Sequence, residues 1–286
     1  MRSLEHRQRQ ASVDAAGHAP LPLATGWVEI DRLLARDATG VDGGLMVGAV
    51  HEWLGLCTGL HDSRRDWMPP LSILLHLAWR SQIAAQQRGK VVWIGRQVWP
   101  MPTTLAQGWN LRAGLIDHSL FVDVVRPSDR LWAIDVALRT AGVRMVIADG
   151  SGLDMAASRR LQLAAEAGTQ RGVICILARP AHEESVLSCA TTRWRISPAP
   201  VTVNPGAADR FGCVRVVPRW NLELVRCKGM QPALHSQWRW VVEADHGKGL
   251  VCVPADVAGR SGAPASPSSA TALPIHRFTR RLRQAS

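Results

Sequence analysis

The sequence contains no tyrosine, and lysine occurs only at positions 90, 228 and 248 of its 286 residues. Its formal net charge of +11 therefore comes almost entirely from arginine. A basic balance can indicate nucleic acid or an acidic partner. Because a bias towards arginine, alanine, glycine and tryptophan can also follow from genome composition, the charge suggests such partners without specifying one.

Long apolar runs are also missing. No stretch of about 18 uninterrupted apolar residues occurs, so the sequence predicts no membrane span. Residues 1–20 are polar and charged and lack the apolar centre of a secretory signal. We therefore expect a cytoplasmic protein with no membrane partner.

Cysteine pairs at metal-binding spacing are absent. The six cysteines are scattered, and no two form a CxxC pair. This spacing gives no support to a zinc site, and we expect no metal or cofactor. Cys175 lies in an apolar run, which predicts a reduced, buried thiol. A GxSxG nucleophile motif is absent as well.

Apolar runs alternate with helical patterns through the first two thirds of the chain. The strands are predicted at 50–54, 91–95, 120–125, 145–149, 173–178, 193–196, 214–217, 222–225 and 238–242. Helices are predicted at 69–88, 128–141 and 156–170, with Ser128 as a candidate N-cap. Wholly apolar strands between helices indicate an α/β fold with a mostly parallel sheet covered on both faces. The later strands, without helices between them, predict a small antiparallel extension.

Twelve tryptophans accompany this pattern. Trp93, Trp132 and Trp194 fall inside predicted elements, where we expect core packing. Trp67 and Trp99 lie near loops, where an aromatic side chain could anchor an interface.

The segment before the first strand carries an ordered set of features. They are Thr25, Gly26, Trp27, Ile30, Asp31, Leu33, Leu34, Gly43, Gly44, Leu45, Gly48 and Glu52. This arrangement resembles the entry of RecA-like domains. The phrases LWAIDVALRTAGVRMVIAD and RRLQLAAEAG, over a resemblance spanning residues 20–230, are similar to the ImuA family. The resemblance implies a RecA-like α/β core at 21–200 with a β extension of the same domain at 201–255. Composition predicts a disordered tail at 1–20 and a disordered basic tail at 256–286, which begins as a Ser/Pro/Ala/Gly-rich linker.

A Walker A loop binds phosphate through backbone N–H groups, a lysine and a Ser/Thr that holds magnesium. The corresponding region contains Gly55 and Gly59 but no lysine. Counting from Gly55, His61 stands at the lysine position and Asp62 at the Ser/Thr position. Asp62 would repel a triphosphate. We therefore expect a degenerate phosphate site.

The second half of a RecA-like ATPase site is ambiguous in the sequence. Asp149 ends the run RMVIAD, at the position of a Walker B carboxylate. Without a phosphate loop, we expect an ordinary aspartate at the end of a parallel strand. The catalytic glutamate after the second strand has no counterpart, because that region reads Gly95, Arg96 and Gln97. The sequence therefore predicts a fold without ATP turnover.

DNA contact is expected to be weak at most. The two segments in which RecA-type recombinases carry DNA-binding loops are short here, and the second contains Glu183 and Glu184. Counterion release could still attach arginines to a phosphate backbone. The candidates are Arg159, Arg160, Arg179, Arg193 and Arg195.

The ImuA resemblance implies a non-catalytic accessory protein of SOS-induced, error-prone translesion DNA synthesis. Its partners would be a Y-family polymerase-like protein and an error-prone C-family polymerase. A basic tip in the C-terminal tail is a candidate partner-binding segment, formed by Arg277, Phe278, Arg280, Arg281, Leu282 and Arg283. Two alternatives remain open: a divergent RecA-like ATPase that uses Arg64 or Arg65 in place of lysine, and a SulA-like inhibitor of cell division.

Overall fold

A computed structural model describes most of the folded part of the chain. The described residues are 21–35, 43–57, 67–83, 89–107, 115–203, 216–230, 238–245 and 249–253. The predictions for both tails, including Arg277, Phe278, Arg280, Arg281, Leu282 and Arg283, fall outside these ranges, as do those for Gly59, His61 and Asp62.

The described strands form one mixed sheet. They are β1 (Val50–Cys57), β2 (Trp67–Met68), β3 (Lys90–Ile94), β4 (Ser119–Val122), β5 (Val143–Asp149), β6 (Ile174–Pro180), β7 (Thr192–Val203), β8 (Val216–Cys227), β9 (Arg239–Asp245) and β10 (Gly249–Val253). Their order is β10-β9-β8-β7-β1-β6-β5-β3-β4, and β2 pairs only with β1. The strands from β7 to β4 are mutually parallel, whereas β7 to β10 pair antiparallel. This confirms the predicted α/β fold, which is consistent with a RecA-like core. The two short strands expected at 214–217 and 222–225 are one strand, β8.

Helices cover both faces of the parallel strands. They are α1 (Val28–Leu34), α2 (Leu71–Ile83), α3 (Pro102–Gln107), α4 (Pro127–Arg139) and α5 (Met155–Ala167). The Ser128 prediction was wrong. Pro127 begins α4 with its fixed φ, and the N-cap is Arg126, so Ser128 already lies inside the helix. None of the helices in the described ranges is long and apolar enough to cross a bilayer.

Two apolar clusters lie on opposite faces of the sheet. Alternate residues of the strands contribute to each: Trp93 packs into the α2 cluster, whereas Val92 packs into the cluster under α4 and α5. Burial on both faces explains why these strands are apolar throughout.

More of the tryptophans are buried in the first cluster, on the α2 side of the sheet, than the sequence indicated. Trp93 and Trp194 are buried, as predicted, and Trp194 stacks on Trp53 with ring centroids 5.1 Å apart. Two predictions were wrong. Trp67 is buried because it belongs to β2, and Trp132 is 61% exposed because it lies on the outer face of α4.

The last strand is held by aromatic side chains from the start of the fold. The Trp27 indole donates to the carbonyl of Leu250 in β10 (2.9 Å), and the Leu250 N–H donates to Nδ1 of His76 (3.2 Å). His76 Nε2 lies 2.7 Å from the Thr25 carbonyl, so it is the protonated nitrogen. The rings of Trp27 and His76 stack at 4.8 Å. The backbone groups of Leu250 are thereby satisfied at the outer edge of the sheet.

Candidate functional site

The region that corresponds to a Walker A loop begins with a strand that does not stop at Gly55. β1 continues to Cys57 and pairs antiparallel with β2, with Leu56 opposite Met68 and Cys57 opposite Trp67. The sequence predicted a strand at 50–54 and then a helix at 69–88, which is wrong in one respect, because a second strand precedes the helix. The first described element after β1 is thus β2, and α2 begins only at Leu71.

Gly55 serves packing between these strands. A Cβ atom at Gly55 would lie 2.3 Å from the carbonyl oxygen of Met68 and 3.1 Å from Cα of Pro69. Only glycine permits this approach. The close approach of the β2 backbone therefore explains why residue 55 is glycine, and no bound phosphate is needed to explain it.

The start of α2 has few free N–H groups for an anion. Pro69 and Pro70 precede the helix and carry no amide hydrogen. The N–H of Leu71 donates to the Pro69 carbonyl (2.8 Å), and those of Ile73 and Leu74 donate to Pro70 (2.9 and 3.0 Å). Phosphate sites at helix N-termini depend on amides left unpaired in the first turn. Here three of the first four are already used.

Asp149 lies at the carboxyl end of β5, where a Walker B carboxylate would stand. Its Oδ2 is 2.9 Å from Nη1 of Arg130 in α4, and its Oδ1 accepts the N–H of Ser151 (2.9 Å). The Arg130 guanidinium also donates to the Ser151 carbonyl. Asp149 thus lies at the end of a parallel strand, as expected from sequence, and a nearly buried arginine of the fold neutralises its charge.

The turn after β3, where the catalytic glutamate of an ATPase would lie, closes over this ion pair. Gly95 has φ +88°, and a Cβ there would be 3.1 Å from Cβ of Asp149. Arg96 forms an ion pair with Asp123. Gln97 donates from Nε2 to the Trp67 carbonyl at 2.8 Å, which joins this turn to β2. The polar side chains of this turn are thus engaged in structural contacts.

A second charged cluster surrounds Glu52 in β1, towards the same end of the parallel strands. The Glu52 carboxylate has no exposed surface and accepts from Nη1 of Arg179 (3.0 Å) and from the Ser188 hydroxyl (2.7 Å). Nε of Arg193 lies 2.7 Å from its other oxygen, as an ion pair without hydrogen-bond alignment. Two guanidiniums therefore share one buried carboxylate.

Arg179 extends this cluster to the loop after β6. Its guanidinium pairs with Glu183 (2.8 Å) and donates to the Leu153 carbonyl (2.7 Å). Glu183 in turn accepts the N–H of Gly152 (2.9 Å). The cluster thus ties together β1, β6 and the loop after β5.

These contacts revise the list of arginines available to DNA. Arg179 is fully buried and Arg193 is 6% exposed, so neither can reach a phosphate backbone. Arg195 pairs with Glu184 and Glu223, and the hydrogen bonds that its guanidinium donates to Glu184 are the largest cause that raises its pKa. Arg159 and Arg160 are exposed on α5, and Arg160 pairs with Asp135. Most of the candidate arginines thus have carboxylate partners within the fold.

The entry motif of the resemblance has a structural role. The Asp31 carboxylate accepts from the N–H and the hydroxyl of Thr25 (2.9 and 2.7 Å) and from the N–H of Gly26 (3.0 Å). Burial raises the pKa of Asp31, and the hydrogen bonds from Thr25 and Gly26 oppose that rise. The motif therefore fixes the turn that carries Trp27 to β10.

Metal ligands are not assembled in the part of the chain that the structure covers. No group of three or more His, Cys, Asp or Glu side chains is placed to hold an ion among those residues. His51, the fully buried histidine of β1, has both ring nitrogens engaged, by the Met46 carbonyl (2.9 Å) and the Thr192 hydroxyl (2.7 Å).

Sequence comparison identifies relatives for this fold. No family model matches the chain. Protein ImuA of Caulobacter vibrioides strain NA1000 / CB15N is 33% identical over 216 residues, which cover 72% of this chain and 80% of the relative. Protein ImuA of strain ATCC 19089 / CIP 103742 / CB 15 gives the same values. At this identity and coverage, the chain belongs to the ImuA family.

Proposed function

We propose that this chain is a non-catalytic accessory protein of SOS-induced, error-prone translesion DNA synthesis, acting in the cytoplasm. The observation that carries the non-catalytic part is the ion pair between Asp149 and Arg130. In a RecA-like ATPase, the strand-end carboxylate must be free to hold hydrated magnesium. Here a guanidinium from the fold occupies one carboxylate oxygen, and a backbone N–H binds the other.

Two further features support the loss of phosphate chemistry. The segment from residue 51 to residue 79 contains no lysine. The proline pair before α2 and the hydrogen bonds of its first turn leave few N–H groups at this helix start for an anion. Arg64 and Arg65 would therefore have to supply the charge without the helix N-terminus that phosphate loops use.

The proposed role is to bring polymerases together. The partners are a Y-family polymerase-like protein and an error-prone C-family polymerase, as the ImuA resemblance implies. Many charged side chains of the fold are engaged in internal ion pairs. We therefore assign partner binding to surfaces that remain from the RecA-like fold and to the basic tip at residues 277–283. Contact with DNA is weak in this proposal and contributes little to recruitment.

A nucleotide titration tests the non-catalytic part. The full-length protein is titrated with a fluorescent ATP analogue and magnesium at low salt, beside an active RecA-type ATPase as positive control. We expect no saturable binding up to about millimolar nucleotide, a concentration that corresponds to only about 4 kcal/mol of binding free energy. Saturable nucleotide binding at micromolar concentration that Asp149→Ala weakens would instead support the divergent RecA-like ATPase.

A pull-down tests the accessory part. The full-length protein and a variant that ends at residue 264 are each presented to the two polymerases and to the tubulin-like division protein that SulA-type inhibitors bind. We expect the full chain to retain the Y-family-like protein and the shorter variant to retain less. Equal retention by both variants removes the tip from the proposal. Retention of the division protein alone would replace it with the SulA-like alternative.

A further inference from the structure

A groove opens at the amino ends of the parallel strands, opposite the end at which Asp149 lies. It has a volume of about 430 Å³ and lies where the amino ends of β1 and β7 meet the carboxyl end of β8. This volume is within the range of sites that hold small ligands or a few side chains of a peptide. Its lining includes apolar side chains from Leu34, Met46 and Met230 and polar groups from Thr191 and Lys228.

The floor of the groove is fixed by internal hydrogen bonds. His51 is held from both sides by the Met46 carbonyl and the Thr192 hydroxyl. The N–H of Lys228 donates to the Thr191 carbonyl at 2.8 Å, which anchors the turn that carries the lysine side chain. Gly229 follows with φ +88°, a conformation that suits glycine in a tight turn. A groove with a rigid floor loses little conformational entropy when it binds.

Among the described residues that line the groove, the charge is of one sign. Lys228 is the charged residue among them, and none of them is an aspartate or a glutamate. Within the described ranges, Lys228 forms no ion pair, although the exposed arginines Arg96, Arg139 and Arg160 do. An exposed cation beside an apolar surface is complementary to a ligand that carries both a carboxylate and an aliphatic group.

Two methionines make the apolar part adaptable. Met46 and Met230 are half-buried and lie on the groove wall. Unbranched thioether side chains fill irregular gaps and recur at surfaces that accept varied peptides. This favours an occupant with flexible aliphatic side chains over a single rigid molecule.

We propose that this groove docks an acidic, aliphatic peptide segment of a partner protein. A carboxylate of the segment would meet the Lys228 ammonium, and a leucine-like side chain would lie between Leu34, Met46 and Met230. The inference deepens the accessory role, on which its biological use rests, but peptide binding is measured without any polymerase. Failure of the peptide test therefore leaves the pull-down result standing, and the reverse also holds.

The probe is a fluorescein-labelled, terminally blocked peptide, Leu-Glu-Asp-Leu-Leu, whose anisotropy is followed as full-length protein is added at low salt. We expect saturable binding that Lys228→Met weakens by about tenfold, the size of one charge-assisted contact. Lys90→Met is the matched control, because it removes the same charge from β3, away from the groove. It should leave binding unchanged. Lys228→Glu should reverse the preference towards a peptide with lysines in place of the acids.

Four results would overturn the proposal. The first is equal binding of a Leu-Gln-Asn-Leu-Leu peptide, and the second is an unchanged affinity in Lys228→Met. The third is equal binding of Ala-Glu-Asp-Ala-Ala, which would reduce the effect to the overall positive charge. The fourth is full displacement of the peptide by isovalerate at equal concentration, which would assign the groove to a small carboxylic acid.

Discussion

The guanidinium of Arg130 lies 2.9 Å from the carboxylate of Asp149, and each side chain is only about one-tenth exposed. Removing one partner leaves the other charge buried without compensation. We therefore expect Arg130→Met to lower the free energy of unfolding by about 3 kcal/mol, measured by urea denaturation.

The control lies two to three turns along the same helix. Arg139 is half-exposed and pairs with Asp135, so Arg139→Met should cost less than about 1 kcal/mol. Adding Asp149→Asn to Arg130→Met should recover part of the lost stability, because the unpaired charge is removed. A double variant less stable than the sum of both single changes would show that the pair is not the source of the loss.

Glu52 gives a second, larger prediction. Glu52→Gln leaves Arg179 and Arg193 close together without their shared carboxylate. We expect a loss of about 3 to 5 kcal/mol in the free energy of unfolding. Glu223→Gln is the comparison, because the arginines that pair with Glu223 are exposed by more than a third and the expected loss is below about 1 kcal/mol. Similar losses for both variants would contradict the buried network.

The two buried histidines predict how stability depends on pH. Burial lowers the pKa of His51 and of His76 to about 4, from 6.5. Between pH 4 and pH 6.5, these histidines therefore bind protons in the unfolded chain but not in the folded chain. Stability should be greatest above pH 6.5 and fall as the pH drops towards 4, by about 3 kcal/mol for each histidine. Urea denaturation at several pH values measures this slope.

Variants separate the histidines in that experiment. His76→Gln should reduce the steepness of the fall by about half, because one of the two titrating groups is gone. His182→Gln is the comparison variant, since it removes an exposed histidine instead of a buried one. If His76→Gln did not alter the slope, His76 would bind the same number of protons in the folded and in the unfolded chain.

Thiol reactivity gives a fourth prediction. Burial raises the pKa of Cys252 to about 12, and burial also raises the pKa of the fully buried Cys175. The thiolate is the reactive form, so both should resist iodoacetamide in the native protein. Cys189 is partly exposed and should be labelled before Cys175 and Cys252, as mass spectrometry of digested protein would show. Early labelling of Cys175 would contradict its burial, and full labelling in urea confirms that the reagent works.

The sequence predicted the layers of the fold better than the details of its site. Apolar periodicity located the parallel strands and their helices, because burial on both faces leaves a continuous signal. The strand β2 gave no such signal, because Trp67 and Met68 are two residues between a charged stretch and two prolines. Its existence depends on pairing with β1, which is a tertiary contact.

The charged clusters were missed for a related reason, although a signal was present. Arg130 lies on the same helical face as Ile134 and Ala137, so a charge interrupts an apolar stripe. Glu52 and Arg179 likewise stand within or at the end of apolar strands. A charge in such a place needs a buried partner. Sequence alone could not say that Asp149 and Arg193 supply those partners, because the pairing depends on strand order.

The bond from Trp27 to Leu250 joins residues 223 positions apart in the chain. During synthesis on the ribosome, the turn that holds Trp27 emerges long before its partner strand exists. The indole of Trp27 and the ring of His76 therefore cannot contact β10 until the final strand leaves the exit tunnel. Premature termination anywhere before β10 would deprive both side chains of that strand.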